Sequence, residues 1–335
     1  MIKRKRKRTG CRPRLRFCEV LLFAALLSIA FCSADSPPSP SELRPNIVLI
    51  LVDSLRPDKL GAYGYRDDIS PEIDSLAAAG VRFRSVLTAC SWTRPAVGSI
   101  LTSLYPRTLG LYTKSDQILA DRFTTLPEAL KSHGYVTIGI TANPNLNSVF
   151  NFQQGFDRYV DSDVVWEWMD ASPDQKTFSS SARLKSAPEV FAAVRHLLKS
   201  NSGRPFFLFL HLMDTHERVN TEVKPEFRAL FENYSREEER VYYSKVRQVS
   251  FDLGRFVEEL RTWPGCADTL FIISTDHGEG LFDHPQVARS TGHGYLVYDS
   301  HIKVPLIFYH PGSRLKPGVV NQEVRLIDLL PTILD

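Results

Sequence analysis

Cysteine is scarce: the 335 residues hold five, and Cys11, Cys18 and Cys32 all precede residue 33. Only Cys90 and Cys266 remain in the body, too few for a disulfide framework. Periodicity is missing as well. The 18 Gly and 21 Pro are scattered and no repeat recurs, which excludes collagen-like and solenoid architectures. Excess charge is also missing from the body. Residues 1–34 remove 9 of the 41 Lys/Arg and 1 of the 38 Asp/Glu, leaving 32 basic against 37 acidic residues, near −5. That balance gives no ground for binding nucleic acid, and none is expected as a partner.

The apolar run VLLFAALLSIAFC (20–32) is thirteen residues long, short for a membrane span. It follows nine basic residues and is followed by Ser33-Ala34, the order of a secretory leader. Export is expected, to the periplasm or the exterior, or else anchoring at a membrane through residues 17–34. The chain then divides into a leader (1–34), a Pro/Ser-rich linker (35–44) and a body (45–335). With 43% hydrophobic residues the body can bury one large core.

Five apolar runs have strand length: NIVLILV (46–52), YVTIGIT (135–141), FFLFLHL (206–212), TLFIIS (269–274) and VPLIFY (304–309). Strands apolar on both faces are covered on both sides. Helix patterns lie between them at 71–80, 95–104, 125–134, 187–200 and about 235–262. The alternation predicts an α/β fold with a mostly parallel, doubly wound sheet sandwiched by helices.

In such sheets ligands bind beyond the carboxyl ends of the strands. Asp53 follows the first run, Asn143 the second, Asp214 and His216 the third, and Asp276 and His277 the fourth. Asp53, Asp276 and His277 together suit one divalent cation, with Ca, Mn and Zn left open. Taken singly, each also fits an ordinary loop residue. Thr93 stands just ahead of the 95–104 helix, where a hydroxyl meets free backbone N–H groups, although an N-cap role would serve equally. His293, between Gly292 and Gly294, and His216 are candidates for holding or protonating a substrate oxygen. His211 sits inside an apolar run and reads as a core residue, and His284 carries no sharper signal.

The segments RPNIVLILVDSLRPDKLGAYGY (44–65), WTRPAVGSILTSLYPRTLGL (92–111), FFLFLHLMDTH (206–216), STDHGEG (274–280), GHG (292–294) and KVPLIFYHPG (303–312) resemble the N-terminal catalytic domain of the sulfatases, in the alkaline phosphatase superfamily. The resemblance implies an α/β/α sandwich that hydrolyses sulfate or phosphate-type esters with a divalent cation. By position it makes Asp53, Asp276 and His277 metal ligands. It places His216 at the transferred group, and His293 where many members have a lysine near the leaving oxygen. Ser54 departs from it, standing where a second aspartate is usual.

The nucleophile motif departs too. Sulfatases carry Cys-x-Pro-x-Arg, or Ser for Cys, whose first residue becomes formylglycine. Here Thr93 and Pro95 match and Val97 replaces the arginine. Threonine would yield a ketone, so formylglycine is not expected. An alternative register, Cys90 to Arg94, restores both ends but loses the proline to Trp92. The leading expectation is a covalent intermediate on Thr93. The substrate would be an anionic ester of a sugar, lipid or small molecule. Two alternatives stay open: a phosphoethanolamine- or phosphoglycerol-type transferase of the same superfamily, or a degenerate binding protein. The small C-terminal subdomain usual in the family is expected to be missing after residue 335.

Overall fold

The computed structural model describes residues 44–112, 117–162, 186–199, 203–216, 222–281, 283–287, 291–312 and 314–335. The basic leader, its apolar run and all of the linker before residue 44 lie outside these residues. Among the described residues no helix is long and apolar enough to cross a membrane.

Among the described residues eight strands form the main sheet: β1 (Asn46–Val52), β2 (Val81–Leu87), β3 (Val136–Thr141), β4 (Arg158–Val160), β5 (Phe206–Leu212), β6 (Thr269–Ser274), β9 (Leu306–Tyr309) and β10 (Gly318–Arg325). The spatial order is β10-β2-β9-β6-β1-β5-β3-β4, with only β9 antiparallel to its neighbours. A separate pair, β7 (Gly280–Leu281) and β8 (Thr291–Gly292), is antiparallel. The expected α/β sheet is therefore present, and every apolar run read from the sequence is one of its strands.

β1 is paired on both edges, by β5 and β6, and all seven of its residues are buried. Its two-residue period divides the core. Val48, Ile50 and Val52 face one apolar cluster, while Ile47, Leu49 and Leu51 face the other. On the first side pack helices α1 (Pro71–Ala79), α4 (Ala187–Leu198) and α5 (Glu237–Leu260). On the second pack α2 (Thr93–Thr102) and α3 (Leu126–Ser132). α3 starts with a capping box, Thr125 accepting from the N–H of Glu128 while Glu128 accepts from that of Thr125.

α2 begins earlier than its sequence pattern suggests. Thr93 is its first residue and Trp92 the N-cap, so Pro95 occupies the third position. Thr93 is thus not a cap. The helix is buried along its whole length, and Val97, Ile100 and Leu101 pack into the second cluster.

Candidate active site

Asp53 directly follows β1, and a tight turn holds it. Ser54 adopts a left-handed backbone (φ 63°), a conformation that a non-glycine residue keeps only when its surroundings enforce it. Those surroundings are visible. The Tyr242 hydroxyl donates to the Ser54 carbonyl at 2.9 Å and accepts from the Arg56 N–H at 3.0 Å. The Thr215 hydroxyl donates to the Asp53 carbonyl. Arg56 then ties this turn to the loop after β6. Its guanidinium reaches Asp283 at 2.5 Å, Asp58 at 2.7 Å and the Glu279 carbonyl at 3.0 Å.

The loop after β6 supplies Asp276 and His277. Gly278 is required there, because a Cβ would lie 2.0 Å from the Ser300 carbonyl oxygen. His277 Nδ1 donates to the Gly278 carbonyl at 2.8 Å, which turns Nε2 toward the centre. That Nε2 lies 3.7 Å from Asp53 and 3.5 Å from Asp276.

Thr93 meets the same group. Its Oγ1 is 3.3 Å from His277 Nε2 and 3.4 Å from Asp53 Oδ2. Asn143, beyond β3, completes the contact by donating Nδ2–H to Asp53 at 2.9 Å and toward Thr93 at 3.2 Å. The Asn143 amide has one consistent orientation, since its Oδ1 accepts from both the backbone and side-chain nitrogens of Asn145. Asn145 in turn accepts from Arg94, whose guanidinium lies 3.3 Å above the Phe150 ring.

His211 requires a correction. It is buried in β5 as expected, but its Nε2 points 3.4 Å from Asp276 and 3.9 Å from Asp53. Asp53, His211 and Asp276 each offer a ligand atom, all within 4.8 Å of one another. The cation-competent group therefore includes a residue assigned to the core from sequence. The strand period held the signal: Phe207, Phe209 and His211 share one face, and the polar member falls at the carboxyl end.

The electrostatics fit a cation. Burial, then the charge of Asp276, pushes the Asp53 carboxyl upward, against the pull of the imidazoles. Burial alone would raise Asp276 too, but His277 and His211 hold it well below the usual carboxylate range. Burial lowers and the two carboxylates more than restore His277, which ends above an ordinary histidine. Two buried carboxylates that cannot comfortably both ionise, with imidazole nitrogens beside them, form a donor set suited to a divalent ion.

His216 and His293 are brought to the same rim. Their rings stand edge to face at 4.9 Å, and His293 lies 4.3 Å from His277. Gly292 and Gly294 both have positive φ (79° and 87°), as the glycine-flanked pattern suggested. Asp214 is elsewhere: its two oxygens accept the Ala187 N–H at the start of α4. The His284 ring lies 3.9 Å from that of Tyr298, tilted by 34°. Sequence reasoning gave no role to Glu279. This wholly buried carboxyl lies 3.1 Å from His293, and burial pushes it up to about 7 against the pull of His277.

Comparison with known proteins agrees with this architecture. The chain is 26% identical over 324 residues to the ulvan-active sulfatase of Formosa agariphila, covering 87% of this chain. It spans 61% of that protein's length. Among solved structures, Ps i-CgsB in complex with k-i-k-neocarrahexaose superposes with a TM-score of 0.65 at 20% identity, over 87% of this chain and 71% of that one. The phosphonate monoester hydrolase of Agrobacterium radiobacter gives 0.64 at 21% identity, over 87% and 73%. The Sulfatase family model matches residues 45–335. Since that match opens one residue before β1 and takes in Asp53, Thr93, His216, Asp276, His277 and His293, the chain belongs to the sulfatase family.

Proposed function

We propose that this chain is an exported, metal-dependent hydrolase of sulfate or phosphate-type esters, sulfated sugars foremost, with the Thr93 hydroxyl as nucleophile. One observation carries the reading: Thr93 Oγ1 lies 3.4 Å from Asp53, 3.3 Å from His277 Nε2 and 3.2 Å from the Asn143 amide, in the first turn of a buried helix. The sugar assignment draws support from the ulvan-active relative and the carrageenan-type oligosaccharide bound to Ps i-CgsB. Phosphorus chemistry draws support from the phosphonate monoester hydrolase of the same fold. Export rests on the basic and apolar leader alone.

Asp53, Asp276 and His277, with His211 at the same carboxylates, would hold a divalent cation, which would supply Lewis acidity toward the threonine oxygen and the ester. The chain's own groups do the rest. Asn143 donates to the Thr93 oxygen, which favours its deprotonated form, and the first-turn N–H groups of α2 favour an anionic group alongside. The hydroxyl releases its proton to water, and its oxygen bonds to sulfur or phosphorus as the ester bond breaks. The leaving oxygen keeps the electron pair and takes a proton from His293, while His216 holds a charged oxygen. Water then cleaves the threonine ester.

The test is turnover of aryl sulfates and aryl phosphodiesters with and without chelator, by the parent, Thr93→Ala and Cys90→Ala proteins. Activity lost on chelation and in Thr93→Ala but kept in Cys90→Ala is the expected result. Undiminished turnover by Thr93→Ala overturns the assignment.

A further inference from the structure

Ser54 removes a carboxylate from the turn after β1, and Glu279 brings one to the same place from the loop after β6. The Ser54 hydroxyl donates to Asp53 at 2.8 Å and is within hydrogen-bonding reach of the Glu279 carboxyl. Glu279 is fully buried. Its Oε1 accepts from the Gly280 N–H at 3.0 Å, and its Oε2 accepts from His293 Nδ1 at 3.1 Å. A buried carboxylate is costly unless each oxygen is satisfied, and a glutamine would satisfy the backbone donor at lower cost. The oxygen aimed at His293 is what a glutamate adds.

The β7–β8 pairing dictates this meeting. Gly280 lies opposite Gly292 and Leu281 opposite Thr291, so the next step along the ribbon sets residue 279 against residue 293. His293 sits between two positive-φ glycines, and its backbone does little to aim the ring. We infer that Glu279 is the positioning residue for His293: it accepts Nδ1–H, fixes the tautomer and commits Nε2 to the substrate's leaving oxygen. The logic is that of a base or acid oriented by a third group. The inference rests on the hydrolase reading above and adds to it the residue that makes His293 a directed proton donor. In the step concerned, the Nε2 proton passes to the leaving oxygen, which retains the electron pair of the broken ester bond, and Nδ1–H stays with Glu279.

A proton donor matters most for a poor leaving group, and that separates positioning from mere support. The experiment compares 4-nitrophenyl and methyl-glucoside esters of whichever acid, sulfuric or phosphoric, the parent cleaves. Glu279→Gln is expected to cut kcat on the glucoside ester by about a hundredfold, with the nitrophenyl ester changed less than about threefold and KM little altered. His293→Ala should show the same split. Glu279→Asp, which keeps the charge but withdraws it by one methylene, should show it as well and serves if the glutamine variant does not fold. A split in His293→Ala with equal losses on both esters in the Glu279 variants overturns the positioning role alone. No split in His293→Ala overturns the proton-donor reading and this inference with it.

Discussion

Asn143 places its amide nitrogen 3.2 Å from the hydroxyl of Thr93. The same nitrogen bonds Asp53 at 2.9 Å, so one side chain ties the nucleophile candidate to the carboxylate edge. If that donor stabilises a developing charge on the threonine oxygen, Asn143→Ala should lower kcat by about 10²- to 10³-fold and leave KM nearly unchanged. Steady-state kinetics on an aryl ester checks this, and a change confined to KM would assign Asn143 to substrate binding.

Asp53 and Asp276 cannot share a buried site at ease without positive charge. Adding a divalent ion to chelator-treated protein should therefore raise Tm, by about 2.7 kcal/mol of stability at a hundred times the dissociation constant. Asp276→Asn should abolish that gain. Thermal melts with Ca²⁺, Mn²⁺ and Zn²⁺ measure it and rank the ions.

The sheet, its layers and most of the site edge were legible in the sequence because β1, β5 and β6 are continuous apolar runs with polar residues immediately after them. Less of the periphery was legible. β2 (VRFRSVL) carries two arginines and is only partly buried, so its pattern reads as neither a core strand nor a clean alternation. β10 is an edge strand with Asn321, Gln322 and Glu323 in it. Glu279 gave no signal, since its meaning depends on a two-residue ribbon that brings Gly280 to Gly292. His211 was hidden by its own neighbours: six apolar residues of FFLFLHL outweighed one imidazole.

Tyr242 holds the turn that presents Asp53, and its hydroxyl is used twice, donating to Ser54 and accepting from Arg56. Tyr242→Phe leaves a buried carbonyl and a buried N–H without that partner. Urea unfolding should show a loss of about 1–3 kcal/mol. Activity should fall further than stability predicts, because the left-handed Ser54 turn loses its brace.

Asp214 predicts a pH dependence. Burial pushes its carboxyl up to about 7, only partly offset by the Ala187 N–H. Between its unfolded value near 4 and this folded value, the native state binds the extra proton. Its contribution to stability is therefore complete below about pH 4 and is lost as pH rises toward 7. Asp214→Asn should remove this slope, so the variant gains on the parent as pH increases from about 4 to 7. Urea titrations at several pH values decide it, and parallel curves for the two proteins would refute the assignment.

The order of strands in space has a consequence for synthesis. β1, which leads into Asp53, is the first strand among the described residues to leave the ribosome, yet its two neighbours β5 and β6 begin only at residues 206 and 269. This apolar segment must therefore wait without its native neighbours until residues 206–274 have been made, a stretch of exposed apolar surface prone to wrong association. Translation pausing before residue 206 would prolong that exposure, whereas a pause after residue 274, once both neighbours have emerged, would not.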